Sequence, residues 1–333
     1  MPLRICSYNI EWFDHLFDKS NNLKTGVQEQ ARIKAIGNVL GVIDPDLVGI
    51  LEAPNTAASG QESTVTKLEN FATSANLRTS KAMTGFISGG TQELAILYDP
   101  TKLTVTHSPG GQAGSKSNPR FDGEFYIDTD EDRIKEVYKH YRPPLEAKVK
   151  VNQTGSEFKV IVAHTKSKGI FNSMDMIHLE SENLRNRLKL YAECEWIRRR
   201  INEWLESGAG VIVMGDFNDG PGMDYYEARY GRSAVEITMG DLFEPDGILR
   251  NLCGKPQWTS YGWKPASARF KDRMTGDNVN VLIDHILVSG NIPIAAMPAH
   301  RIWNPYENNE AKPYKDDLLK ASDHFPVTLD LGL

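Results

Sequence analysis

Residues Val211–Asp219 read VIVMGDFND, an apolar run that stops at Gly215 and delivers Asp216 and Asn218. An uninterrupted run of strand-forming side chains suits a strand covered on both faces. Gly215 then lets the backbone turn, or come close to a ligand, where a bulkier residue would obstruct it. Side chains two apart in extended chain share a face, so Asp216 and Asn218 are expected to point at one bound atom. The acid would accept a proton or hold a metal, and the amide would orient what is bound. An isolated D-x-N after a strand is more often a turn, so the pair has to be weighed with the rest of the chain.

Further apolar runs predict strands at Leu3–Tyr8, Leu47–Leu51, Leu94–Tyr98, Lys102–Thr106, Glu146–Val151, Phe158–Ala163, Leu282–Val288 and Pro326–Leu331. Two helices follow from helical spacing. One runs Gln28–Leu40, with Ile33, Ile36 and Leu40 on one stripe. The other runs Ser181–Glu206, with Leu184, Leu188, Tyr191, Ile201 and Leu205 on one face and Gly208 as its stop. The opposite face of the second helix carries Arg185, Arg187, Lys189 and Arg198–Arg200 with acids between, and is read as solvated. Long polar stretches at Asn55–Thr64, Ser108–Asp132, Gly254–Asp277 and Trp303–Ala321 are read as functional or mobile loops. Dispersed strands, outer helices, no linker and no repeat predict one layered α/β domain over residues 1–333.

The bulk numbers exclude some classes of function. A net charge of -6 gives no global pull toward polyanions, so any such binding needs a local basic surface. No segment approaches the roughly 20 consecutive apolar residues of a membrane span. The chain opens directly into a strand-like run with no signal-peptide pattern, so a cytoplasmic monomer is expected. Cys6, Cys194 and Cys253 are too few and too widely spaced for a disulfide framework or a zinc cluster.

Several strands run into a polar residue: Asn9, Glu52, His164 and Asp216 with Asn218. Asp284 sits inside LIDHILVS, and Asp323 and His324 precede the last strand. The set SYN (Ser7–Asn9), LEA (Leu51–Ala53), YRPPL (Tyr141–Leu145), AHTKSKG (Ala163–Gly169), GDFND, LIDHILVS and SDHFPV resembles the endonuclease/exonuclease/phosphatase superfamily of deoxyribonuclease-I-like proteins. The motifs stand in the family's order over nearly the whole chain. The resemblance implies a four-layer α-β-β-α sandwich of two packed mixed sheets flanked by helices, with the site at one mouth of the sheets. It also implies phosphate-ester hydrolysis with a divalent cation.

Crowded carboxylates explain the cation. Two about 4 Å apart repel by roughly 4 kcal/mol at an effective dielectric near 20. Oxygen-only ligands favour Mg²⁺, with Mn²⁺ as a substitute. By resemblance Glu52 is the main ligand, assisted by Asn9 and by Asp323 directly or through water. Asp216 would activate water aligned by Asn218, and His324 would contact the scissile phosphate with Asp284 holding its far nitrogen. An alternative makes the His324–Asp284 pair the base. His164 would act on the leaving-group side as acid or as phosphate contact. Arg142, Lys166 and Asn9 would grip phosphate oxygens. Glu11 is either a ligand to a second cation or an exposed loop acid.

The Arg142/His164 combination departs from the abasic-site nuclease branch, which carries Tyr and Asn there, and the inositol-polyphosphate phosphatase signature is missing. In Trp258–Arg273, Trp258, Tyr261, Trp263 and Phe270 alternate with Lys264, Arg269, Lys271 and Arg273. Aromatics beside cations suit stacked bases and phosphates. With Lys166, Lys168 and the SKSNPR loop (Ser115–Arg120), this favours a nuclease acting on DNA or RNA. The alternatives are a phosphatase or phosphodiesterase on a small-molecule or lipid head-group phosphate, and a non-catalytic module of the same fold. Filled positions throughout the site weigh against the last.

Overall fold

A computed structural model describes residues 2–55, 61–130, 132–170, 176–220, 232–253, 265–271, 276–296 and 299–333. Two six-stranded sheets organise it. The first has the order β15 (His300–Ile302), β16 (Val327–Leu331), β1 (Leu3–Asn9), β2 (Leu47–Ala53), β4 (Glu93–Tyr98), β3 (Lys81–Thr84). The second runs β11 (Leu249–Asn251), β14 (Asp284–Ser289), β10 (Val211–Asp216), β9 (Glu157–His164), β8 (Leu145–Val151), β5 (Leu103–His107). Every apolar run named from the sequence is one of these strands. Two hairpins lie outside the sheets, β6 (Phe125–Ile127) with β7 (Glu136–Tyr138), and β12 (Ala268–Lys271) with β13 (Asn278–Val281).

Each large sheet contains one parallel pair, β1 with β2 and β9 with β10, and its other pairings are antiparallel. This topology places the site. Parallel partners end at the same edge, so Asn9 and Glu52 emerge together, as do His164 and Asp216. Antiparallel neighbours begin where those strands end: Asp284 opens β14 directly opposite Asp216, and Ser7 of β1 pairs with Val327, just after His324.

The strand Val211–Asp216 is buried along its whole length, as its composition predicts. Ile212 and Met214 join the core between the sheets, and Val211 and Val213 join the one under the long helix α3 (Met176–Glu206). The sheets approach each other closely at Gly49. A Cβ there would sit 3.1 Å from Met214 Sδ and 3.2 Å from Val162 Cγ2. Gly49→Leu is therefore expected to destabilise by about 1–3 kcal/mol through overpacking. The measurement is the urea midpoint, which should fall at unchanged slope, and an unshifted midpoint would show spare room between the faces.

Helices α1 (Val27–Ile43), α2 (Gln61–Ser74) and α5 (Lys315–Ala321) accompany the first sheet; α3 and α4 (Ala234–Met239) cover the second. Ile33, Ile36 and Leu40 are buried on α1 as expected. In α3 the chain turns out at Gly208, where the Gly208 N–H donates to Leu205 O and the Ala209 N–H to Trp204 O. The solvated outer face expected for α3 is a correction. Arg187, Arg198 and Arg200 are buried, and Arg200 is covered by the segment read as a loop, which packs back over the helix through Phe121 and Phe125 against Trp196. Arg200 pairs with the buried Glu146 of β8 at 2.7 Å and donates to Pro119 O. Arg198 donates to the Thr238, Met239 and Gly247 carbonyls. Of the four long polar stretches, each contributes regular structure: the start of α2, β6, β12 and α5.

Among the described residues, no helix is long and apolar enough to cross a membrane. All three cysteines are free and buried.

Candidate active site

Asp216 sits at the centre of the shared edge, 2% exposed. Its Oδ1 accepts the Asn218 backbone N–H at 2.8 Å. Its Oδ2 accepts from Asn9 Nδ2 at 3.2 Å and faces His164 Nε2 at 3.5 Å and His324 Nε2 at 3.8 Å. One oxygen is thus pinned by backbone, and the other looks into the cleft. Asn218 reaches this arrangement differently from the strand alternation expected of it. Its φ is 49°, so the chain has left the extended conformation, and its Nδ2 donates to Thr165 O at 3.0 Å. The pair is coupled through a backbone amide rather than by sharing a strand face.

His324 Nδ1 lies 2.8 Å from Asp284 Oδ2, which also accepts from Ser267 Oγ at 2.7 Å. Ser267 Oγ in turn accepts the Asp284 N–H, so the carboxylate that orients His324 is itself held at two points. Burial alone would push His324 down, but the charge and hydrogen bond of Asp284, with Asp216 and Asp323, lift it to about 10. Burial first, then Asp284, raises the Asp216 carboxyl above its ordinary range. His164 is driven well below its usual value by burial, then by Arg142 and His324, and is neutral at pH 7.

Glu52 occupies a bulge where the β2–β4 register shifts between Leu51 and Ala53, with φ 56°. Holding a non-glycine residue in the left-handed region costs on the order of 1–3 kcal/mol and is characteristic of functional sites. The bulge turns Glu52 toward the loops, where its Oε2 accepts from Trp12 N at 2.9 Å and Gln92 Nε2 at 2.5 Å. Gln92 Oε1 accepts from Arg142 Nη1 at 2.7 Å, and Arg142 Nη2 lies 3.4 Å from Thr165 O. Glu52, Gln92, Arg142, Thr165 and Asn218 therefore form one hydrogen-bonded chain that ends at Asp216.

The donor set fits a hard divalent cation. Among the described residues Asn9 Oδ1 and Asp323 Oδ1 are buried oxygens without a hydrogen-bond partner, and Glu11 is raised by burial, then by the charges of Asp323 and Glu52. These acids sit within electrostatic reach of one another, and Arg32 and His324 are the cations that act on Glu11. Asp216, Asp284 and His324 also lie close enough together to grip an ion. There, however, the Asp284–His324 hydrogen bond already uses the facing atoms, whereas Asn9, Glu52 and Asp323 are residues that could offer oxygens to an ion. Glu11 is half-buried rather than an exposed loop acid.

Asn9, His164, Asp216, Asn218, Asp284 and His324 are thus brought into direct contact, with Arg142 and Glu52 attached through Gln92 and Thr165. Lys166 lies at the margin, its backbone tied to α3. Lys168 is taken up by Asp219 at 2.5 Å, and Arg120 of the SKSNPR loop by Asp122 at 2.6 Å, so neither extends a free basic track. Trp258, Tyr261, Trp263, Lys264 and Arg273 lie outside the described residues. Arg269, Phe270 and Lys271 lie in β12, whose Arg269 N–H donates to Asp323 O at 2.8 Å. Gln92, Thr165 and Ser267 escaped the sequence reading because neutral polar residues in loops carry no spacing signal. Trp12 stood visibly in NIEWF but gave no hint that its amide supports Glu52.

Comparison with solved structures shows the same fold at low identity. A Bacteroides vulgatus endonuclease/exonuclease/phosphatase is 16% identical, with 100% of this chain and 99% of that one covered and a TM-score of 0.54. Truncated Caenorhabditis elegans TDP2 is 14% identical over 99% and 97% of the two chains, with a TM-score of 0.53. D. rerio TDP2 complexed with single strand DNA product is 12% identical over 99% of both, with a TM-score of 0.50. No curated protein matches by sequence. The family model described as Endonuclease/Exonuclease/phosphatase family matches residues 6–324, nearly the whole chain. With the two-sheet sandwich and the acid and histidine cluster at its mouth, that match settles the family: the chain belongs to the endonuclease/exonuclease/phosphatase family of hydrolytic, divalent-metal-dependent phosphoesterases.

Proposed function

We propose that the chain is a Mg²⁺-dependent nuclease that hydrolyses nucleic-acid phosphodiesters by in-line attack of water activated at Asp216. The observation that carries this is the asymmetry of the Asp216 carboxylate: Oδ1 is committed to the Asn218 amide, while Oδ2 faces Asn9, His164 and His324. A carboxyl raised by burial, with one oxygen facing Asn9 and two histidines, suits a general base near neutral pH. Asn9, Glu52 and Asp323 would hold the cation, which supplies charge neutralisation at the phosphate when bound.

His324, ringed by Asp216, Asp284 and Asp323, is the cationic donor to a phosphate oxygen, with Asp284 and Ser267 fixing its ring. Neutral His164 serves as a hydrogen-bonding contact on the leaving-group side. Arg142 grips a phosphate oxygen through its Nε, which has no hydrogen-bond partner among the described residues.

Preference for a nucleic acid rests on the rim. Trp12 is 43% exposed, and its amide supports Glu52. Its ring is stacked on His15 at 5.2 Å, leaving its other face for a base. Phe270, 38% exposed, lies on the hairpin bonded to Asp323, and its neighbour Arg269 sits over the Tyr306 ring. D. rerio TDP2, of the same fold, is known with a single-stranded DNA product.

The purified protein is expected to nick supercoiled plasmid with Mg²⁺ or Mn²⁺ and to stop on chelation. Glu52→Gln should raise the metal concentration for half-maximal rate by about tenfold or more. Inertness toward plasmid, single-stranded DNA and RNA, with strong turnover of a phosphomonoester, would overturn the nuclease reading in favour of a phosphatase.

A further inference from the structure

Arg142 meets charges on and beside α3, beyond His164 in the chain, that the chemistry at Asp216 does not use. The Lys166 backbone N–H donates to Glu193 Oε2 at 2.7 Å, and Glu193 is 3% exposed. The other Glu193 oxygen lies 3.9 Å from Lys189 Nζ and 3.9 Å from His140 Nδ1, both beyond hydrogen-bond length. Arg142 gives its terminal nitrogens to the neutral partners Gln92 and Thr165. Lys166, Lys189 and Arg142 are close enough for the two other cations to depress Lys166, after burial itself.

Glu193 is the carboxylate common to all three cations, with Glu52 and Asp216 also acting on Arg142. Glu182, the other acid acting on Lys166, is paired with Arg185. His140 is held neutral, pushed down to about 3 by burial and then by Lys189, and adds no counter-charge. Among the described residues no carboxylate makes a hydrogen-bonded ion pair with Arg142, Lys166 or Lys189. Burying like charges without partners is costly, and a dianionic ligand relieves it.

We propose that Arg142, Lys166 and Lys189, braced by Glu193, form a second phosphate subsite that receives the phosphate next to the scissile one on a nucleic-acid strand. A planar guanidinium with two ammonium groups matches tetrahedral phosphoryl oxygens. The subsite is geometrically tied to the catalytic pair, because Thr165 O is the shared acceptor for Arg142 Nη2 and Asn218 Nδ2. This rests on the phosphoesterase reading above and adds that the substrate carries at least two phosphates.

The test is calorimetric binding to the intact protein, which needs no turnover. The probes are thymidine 5′-monophosphate, thymidine 3′,5′-bisphosphate and a hexose bisphosphate, against wild type, Lys189→Met and Lys189→Arg. Wild type should bind the nucleotide bisphosphate about tenfold more tightly than the monophosphate. Lys189→Met should remove that advantage and leave monophosphate affinity unchanged, and Lys189→Arg should restore it. On oligonucleotides, Lys189→Met should also lower the salt slope of binding by about one. An equal advantage for the hexose bisphosphate supports the subsite and makes its ligand a small bisphosphate. No bisphosphate advantage in wild type, or one unaffected by Lys189→Met, overturns the subsite. Inertness toward every phosphate ester would instead overturn the phosphoesterase reading.

Discussion

Asp216→Asn is expected to lower kcat on plasmid by about 10²–10⁴-fold, the range a positioned general base contributes. The substitution is isosteric, and its carbonyl can still accept the Asn218 N–H that now reaches Oδ1 at 2.8 Å. The new amide would face Asn9 Nδ2, donor to donor, across 3.2 Å. In the metal-free protein a flip of the Asn9 amide resolves this, since among the described residues Asn9 Oδ1 has no hydrogen-bond partner to lose. Folding should survive. The native carboxyl is raised by burial and by Asp284, so ionising it costs stability as pH rises from the ordinary carboxylate range through the raised value. Removing that charge should leave the melting temperature of the chelator-treated protein at pH 7 unchanged or higher. The measurement is kcat beside thermal unfolding. A variant retaining more than a tenth of kcat would move the base role to the His324–Asp284 pair.

What the sequence made legible was whatever depends on local pattern. Apolar runs marked the strands because a strand buried on both faces has no polar alternation to interrupt it. The polar residues at their ends marked the site, because two parallel pairs and their antiparallel neighbours bring those ends to one edge. What stayed hidden depends on tertiary partners. Ser267 matters only because β12 leads it under Asp284, and Gln92 only because the Glu52 bulge turns a carboxylate toward it. The arginines of α3 read as solvated because acids stand among them. Arg200 is buried because a segment some eighty residues earlier, around Asn118 and Pro119, folds over the helix to meet it, and Arg198 because α4 and Gly247 close over it. Spacing along one helix cannot reveal a cover supplied from elsewhere.

Gly215→Ala is expected to damage fold and site together. Gly215 has φ 148°, a region that L side chains rarely adopt, and it is paired on both sides, with Ala163 of β9 and His285 of β14. A Cβ there would overlap the Ala163 carbonyl oxygen and lie 2.8 Å from its carbon. The obstructing atoms are backbone, so no side-chain rotation can make room. Either β9 and β10 separate or residue 215 leaves its conformation, and a loss of at least about 3 kcal/mol is expected. Both escapes act on the chemistry. His164 follows Ala163 and Asp216 follows Gly215, so a shift at the crossing moves both residues that now lie 3.5 Å apart. Misplacement by about 1 Å can cost on the order of 10²-fold in rate. The control is Gly41→Ala on α1, where an added Cβ meets nothing within 4 Å and the helix should gain about 0.5–1 kcal/mol. The decisive reading is activity at a temperature where Gly215→Ala is still folded by near-UV circular dichroism. A folded variant with wild-type kcat would show that the glycine serves the strand alone, whereas a folded variant reduced about 10²-fold would show that the crossing sets the spacing of His164 and Asp216.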